Sequence, residues 1–180
     1  MKTNWNEYTS KWKAAKKLGL DVSLKEKDNI LYIGASSGNT VNQISKLTKG
    51  IIFAVEISSK MAIGLIKLTK TKNNIAPIIE DARKINSIKN KLFNTKINIL
   101  FQDIPTKDQI DILINTSKSI TGNYKIFFVL KTQSISNQDS EKTFLETNEK
   151  LKKHFEILEV KSLEPFQKKH YFFILKKLKY

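Results

Sequence analysis

The chain has 180 residues, 40% of them hydrophobic and 27% charged, which suits one domain that buries its own core. Its 32 Lys and Arg against 17 Asp and Glu give a net charge of +15, a balance that favours polyanionic partners because displacing counterions from phosphates drives association. With no cysteine, disulfides and thiolate metal sites are excluded. Two histidines alone argue against a zinc site, and no apolar run approaches the ~18 residues of a membrane span.

From about Trp5 to Leu20 the spacing of Ala14, Ala15 and Leu18 predicts a helix, with Gly19 suited to its stop. Asn29 to Ile33, ending at Gly34, reads as a buried strand, and Thr40 to Leu47 as a helix. Ile51 to Val55 is a second buried strand, after which Ser58 can cap a helix running to about Leu68. Ile75 to Ile79 and Lys96 to Phe101 are further strands. Lys107 to Lys118 is a helix with Ile110, Leu113 and Ile114 on one face. Tyr124 to Leu130 is a strand and Ser140 to His154 a helix. Phe155 to Val160 and His170 to Leu175 are two successive strands.

Alternating helices and nearly continuous apolar strands predict a mostly parallel seven-stranded sheet covered on both faces, a doubly wound, Rossmann-like α/β fold. The last strand pair is expected to add an antiparallel edge at the C-terminus. With six Gly and three Pro, no stretch reads as a linker. One domain is expected over 1–180, with an entry helix in 1–20 and the doubly wound core in 28–178. The first residues (Lys2, Asn4, Asn6, Glu7) are polar and lack the apolar region of a signal peptide, so the expected location is cytoplasmic, with no membrane partner.

In such a fold, ligands bind beyond the carboxyl ends of the strands. Gly34-Ala35-Ser36-Ser37-Gly38-Asn39-Thr40 lies where the first strand turns into a helix, and small residues there let a ligand approach the backbone. The spacing is neither the dinucleotide nor the Walker pattern, and a plain tight turn would use the same residues. Glu56 ends the second strand, placed to accept hydrogen bonds from both hydroxyls of a ribose or to support the next helix. Asp81, beside Ala82, is placed to accept from an exocyclic adenine amine or to cap the segment after it. Asp103 and Lys131 end the next two strands. A lysine leaving an apolar run suits proton transfer, though a strand end reaching solvent would look the same. His170 opens the last strand, whereas His154 fits a helix-end role and Lys11 is one of many lysines. No Ser–His–Asp order or nucleophile elbow supports hydrolysis.

Taken in order, these segments resemble the fibrillarin family of methyltransferases. Trp5-Asn6, Ser10-Lys11 and Ala14-Ala15 are similar to its entry helix, and Leu31 to Val41 to its cofactor loop. Ala54-Val55-Glu56, Asn74 to Lys84, Phe101-Gln102-Asp103, Asp108-Gln109 and Leu163 to His170 follow in the family's order, from about residue 4 to 175. The resemblance implies an S-adenosylmethionine-dependent fold. The cofactor would be lined by Asn39, Thr40, Glu56, Ile57, Asp81, Ala82, Asp103 and Thr106, with Gln109, around the Gly34, Ala35 and Gly38 turn. It implies a catalytic group of Lys11, Asp103, Lys131 and His170, with Asp103 orienting the Lys131 amine. It also implies guide-RNA-directed 2′-O-methylation of rRNA and tRNA in a box C/D ribonucleoprotein. The partners would be a Nop-family scaffold, the guide and target RNAs and, indirectly, a kink-turn-binding protein. Asn39 stands where Thr is usual, Thr106 where Gln is usual and Glu7 where Pro is usual, and the family's small β-rich N-terminal domain is expected to be missing. The other reading is a non-catalytic RNA-binding or assembly subunit that retains the fold.

Overall fold

The computed structural model describes residues 10–135 and 139–178. Helix α1 (Lys11–Lys17) leads into β1 (Ile30–Ile33), α2 (Asn39–Ile44), β2 (Ile52–Glu56), α3 (Ser59–Thr69), β3 (Ile75–Ile79), α4 (Ile85–Asn90) and β4 (Ile99–Gln102). Then come α5 (Gln109–Ser119), β5 (Lys125–Lys131), α6 (Thr132–Ile135), α7 (Ser140–Lys152), β6 (Phe155–Ser162) and β7 (His170–Lys177). The first part of the predicted entry helix, Trp5 to Thr9, lies outside the described residues. Its end is as expected, with Leu18 as C-cap and Gly19 at φ +81°.

The seven strands form one sheet in the order β3-β2-β1-β4-β5-β7-β6. Neighbours from β3 to β5 are parallel, and β7 runs antiparallel to both β5 and β6. The last strand pair thus forms the antiparallel edge of the sheet, as expected, with β7 inside and β6 outermost. The burial of side chains explains the order within the pair. Phe172, Phe173, Ile174 and Leu175 are all buried, as a strand covered on both faces requires. In β6, Glu156 and Leu158 face solvent, and the register slips between Ile157 and Glu159, which suits a bulged edge strand.

Side-chain alternation along the strands divides the core in two. Tyr32, Ala54, Phe101, Phe127 and Phe172 face one layer, with Trp12, Ala14 and Ala15 of α1, Val41 and Ile44 of α2 and Leu65 of α3. Leu31, Ile33, Val55, Leu100, Phe128 and Phe173 face the other, with Ile88 of α4, Leu113 of α5 and Leu151 of α7. Two short helices were not expected, α4 and α6, of six and four residues. Ile88 is buried in α4, but so short a segment shows too few turns for a helical period to be legible.

α1 is held mainly through Trp12, which is buried and donates its indole N–H to the Val22 carbonyl at 3.2 Å. We expect Trp12→Ala to lower stability by about 3–5 kcal/mol. Urea unfolding checks this, and a loss under about 1 kcal/mol would mean that α1 is not anchored there.

Candidate functional site

The carboxyl ends of β1 to β4 open onto a cavity of about 480 Å3, a size that holds a small ligand. Its floor begins at Gly34, where φ is +86°. A Cβ at Gly34 would run into the Asp103 carbonyl oxygen and come within 2.5 Å of Ile104 Cγ2, so only glycine permits this approach of the two strand ends. The Gly34 and Ala35 amides donate to the Val55 carbonyl at 3.0 and 2.9 Å, and the Asp103 amide donates to the Ile33 carbonyl at 2.9 Å. The second glycine of the turn does a different job. Gly38, at φ +91°, is the N-cap of α2, and a Cβ there would come within 2.6 Å of Leu68 Cδ1 and 2.8 Å of Leu65 Cδ2. Gly38 thus lets α2 pack against α3.

Gly34, Glu56, Ile57, Asp81, Ala82, Asp103 and Thr106 line the cavity, with the catalytic candidates Lys11, Lys131 and His170. Ala35, Gly38, Asn39, Thr40 and Gln109 are not among its lining residues. Asn39 is exposed at the start of α2, and the Thr40 hydroxyl lies 3.4 Å from that of Ser10. Gln109 is fully buried beneath the wall. Its Nε2 donates to the Thr106 and Lys131 carbonyls at 2.9 and 3.4 Å, and its Oε1 accepts from the Lys131 amide at 3.3 Å. Its amide is committed to backbone groups, and it fixes the end of β5 to the loop after β4.

Glu56 is buried, with one carboxylate oxygen taking the Ser36 amide at 2.8 Å and the other the Ser58 amide at 2.9 Å. The supporting role is the one seen directly: Glu56 braces the entry to α3, whose N-cap is Ser58, while each oxygen keeps lone-pair capacity. Ser36 and Glu80 also line the cavity, and sequence reasoning gave neither a role. The Ser87 hydroxyl and the Asp81 amide hold the Glu80 carboxyl down to about 2, so it is ionised at the cavity rim.

The catalytic candidates come from four separate segments. Lys11 Nζ donates to Asp103 Oδ2 at 2.8 Å, both groups being mostly buried. This differs from the expectation that Asp103 orients Lys131. The packing of Trp12, Ala14 and Ala15 on the sheet carries the start of α1 over the end of β4, and Lys11 takes the carboxylate. Among the described residues, no carboxylate makes an ion pair with Lys131. Lys131 lies directly opposite His170 across the β5–β7 pairing. The His170 Nδ1–H donates to the Lys168 carbonyl at 2.7 Å, which leaves Nε2 as the acceptor nitrogen. Burial, seconded by the positive charges of Lys11 and Lys131, lowers the His170 pKa below 6.5 against the opposing pull of the Lys168 carbonyl and Asp103.

The chain as a whole is similar to known proteins. The family model described as Fibrillarin matches residues 3–179. The fibrillarin-like rRNA/tRNA 2′-O-methyltransferase of Pyrococcus furiosus is 32% identical over 179 residues, covering 96% of this chain and 78% of that protein. Among solved structures, a fibrillarin/Nop5p complex aligns at TM-score 0.91 and 29% identity, covering 97% of this chain and 84% of that one. The Methanococcus jannaschii fibrillarin pre-rRNA processing protein aligns at TM-score 0.89 and 31% identity, covering 96% and 76%. Aeropyrum pernix fibrillarin in complex with natively bound S-adenosyl-L-methionine aligns at TM-score 0.75 and 27% identity, covering 95% and 76%.

The lowered pKa of His170 has a readable consequence. Because its folded value lies below the unfolded one, the stability contributed by neutral His170 is complete above pH 6.5 and is lost as pH falls below it. NMR titration of the imidazole is expected to give a midpoint below 6.5. A midpoint at or above that value would contradict a neutral imidazole at the cavity.

Proposed function

The chain belongs to the fibrillarin family, and on that basis we propose that it transfers the methyl group of S-adenosylmethionine to ribose 2′-hydroxyls of rRNA and tRNA. The observation that carries this reading is one cavity joining a ribose-type carboxylate, Glu56, to Lys11, Asp103, Lys131 and His170.

The residues fit the cofactor. Gly34 keeps the floor free of a side chain, Glu56 offers two oriented oxygens to vicinal hydroxyls, and Asp81 offers a carboxylate to the adenine amine. When bound, S-adenosylmethionine supplies a methyl group on a positively charged sulfur, which is left as a neutral thioether.

A ribose hydroxyl is a poor nucleophile near neutral pH, so the protein must position it and take its proton. In this proposal Lys131, which makes no ion pair with a carboxylate among the described residues, receives the proton in its neutral amine form as the oxygen forms its bond to the methyl carbon. The ammonium of Lys11, held by Asp103, donates to the hydroxyl oxygen and keeps it in line, and His170 stands opposite Lys131 at the cavity wall. Asp103 gives one oxygen, Oδ2, to Lys11, and its part in this proposal is to hold the Lys11 ammonium at the cavity.

The chain is further proposed to work as the catalytic subunit of a box C/D ribonucleoprotein, entered through a Nop-family scaffold. The support is its alignment with the fibrillarin of the fibrillarin/Nop5p complex. A guide RNA would then choose the nucleotide, with a kink-turn-binding protein joined indirectly, and the net charge of +15 suits such company. A cytoplasmic site of action completes the proposal.

Calorimetric titration with S-adenosylhomocysteine is expected to show micromolar binding that Glu56→Ala removes. No binding by the native chain, alone and with its scaffold, would defeat the cofactor reading. In a reconstituted guide-RNA particle, Lys131→Ala is expected to lower transfer by about 10²- to 10⁴-fold while cofactor binding persists. Unchanged turnover would remove Lys131 from the mechanism.

A further inference from the structure

Arg83 occupies an unusual place at the cavity mouth. It leaves the loop after β3, and it makes two fork-like contacts with Asp108, the N-cap of α5: Nε to Oδ2 at 2.7 Å and Nη2 to Oδ1 at 2.9 Å. In the sheet, β3 and β4 are separated by β2 and β1, so their ends stand roughly 14 Å apart at ordinary strand spacing. The contact is possible because α4 and α5 pack against each other on the same layer. Among the described residues, no other side-chain hydrogen bond joins these two loops.

The same guanidinium holds Asp81. Arg83 Nη1 lies 3.2 Å from Asp81 Oδ1 and 3.3 Å from Oδ2, and the Arg83 amide donates to Oδ1 at 2.9 Å. Asp81, Ala82, Arg83 and Thr106 all line the cavity. One cation therefore fixes a carboxylate in the ligand wall while anchoring itself to the opposite loop. Arginine suits this because its planar fork serves two carboxylates in set directions, which a lysine ammonium does not.

We propose that Arg83 is a positioning residue that sets the cofactor's base specificity: anchored on Asp108, it orients Asp81 to accept a purine 6-amino group. This rests on the cofactor reading given above. An ionised carboxylate only accepts hydrogen bonds, so a fixed Asp81 rewards a 6-amino purine and repels a 6-oxo one. Without the Arg83 side chain the carboxylate keeps only the backbone amide of residue 83 as its hold, and the reward falls while the remaining contacts stay. The Asp108 carboxyl is held below its usual range mainly by the same Arg83 contact, consistent with a standing ion pair.

The test compares S-adenosylhomocysteine with S-inosylhomocysteine by calorimetry on the full chain, native and Arg83→Ala. The native chain is expected to prefer the adenosyl compound. Arg83→Ala is expected to weaken adenosyl binding about five- to tenfold without weakening inosyl binding, and so to shrink the preference. Asp108→Asn is expected to change it in the same direction, and Arg83→Lys to fail to restore it. Equal weakening of both compounds would reduce Arg83 to structural support and overturn the proposal, as would native adenosyl affinity in Arg83→Ala. Failure of the native chain to bind either compound would instead count against the cofactor reading beneath it. Thermal unfolding of the ligand-free variants separates loss of fold from loss of selectivity.

Discussion

The close approach of Gly34 to the Asp103 carbonyl is the constraint on which the site depends. β1 lies between β2 and β4, and its chain leaves toward one layer while the chain after β4 leaves toward the other. The two strand ends must nonetheless stay in register, through the Asp103 amide on the Ile33 carbonyl. Only a residue without Cβ, at positive φ, allows both. The divergence of the two chains then opens the crevice, as expected where a doubly wound sheet changes direction. The carboxylates of Glu56, Asp81 and Asp103 reach the same space because each stands at or just beyond a strand end along this line.

The charges at the crevice are sorted and not merely abundant. Toward β2 and β3 the rim carries Glu56, Glu80 and Asp81, of which Asp81 is paired with Arg83 and Glu80 with Lys84 and Lys91. Toward β5 and β7 it carries Lys131 and His170, with Lys11 neutralised by Asp103. Of the lysines and arginine that line the cavity, Lys131 alone makes no ion pair among the described residues, which leaves its side the one that attracts a phosphate chain. The excess of 32 basic over 17 acidic residues gives no hint of this, since the sorting is local while the count is global.

Much of the fold was legible because its strands are short apolar runs ending at identifiable breaks: Ile30–Ile33 at Gly34, Ile52–Glu56 before Ser58. What escaped has physical reasons. α4 and α6 are too short to show a period, and the place of β7 depends on a long-range pairing that local sequence does not encode. The continuous run Phe172–Leu175 against the alternating β6 was the available signal that β7 is internal. The site was legible where a residue ends a strand, as with Glu56 and Asp103. It was less so where side chains choose among several partners. Gln109 is spent on backbone groups, Asp103 pairs with Lys11, and Arg83 bridges two carboxylates, none of which spacing alone decides.

The internal position of β7 also bears on how the protein comes into being. Lys131 and His170 face each other across β5 and β7, yet nearly forty residues of chain separate them, including α7 and all of β6. A nascent chain that has just emerged through β6 lacks the strand that belongs between β5 and β6, so β5 presents an unpaired apolar border. The half-made protein therefore both lacks His170 from its cavity wall and is prone to stick to its neighbours. Synthesis of the last strand relieves both conditions at once, so that covering the exposed border and completing the cavity wall become the same event.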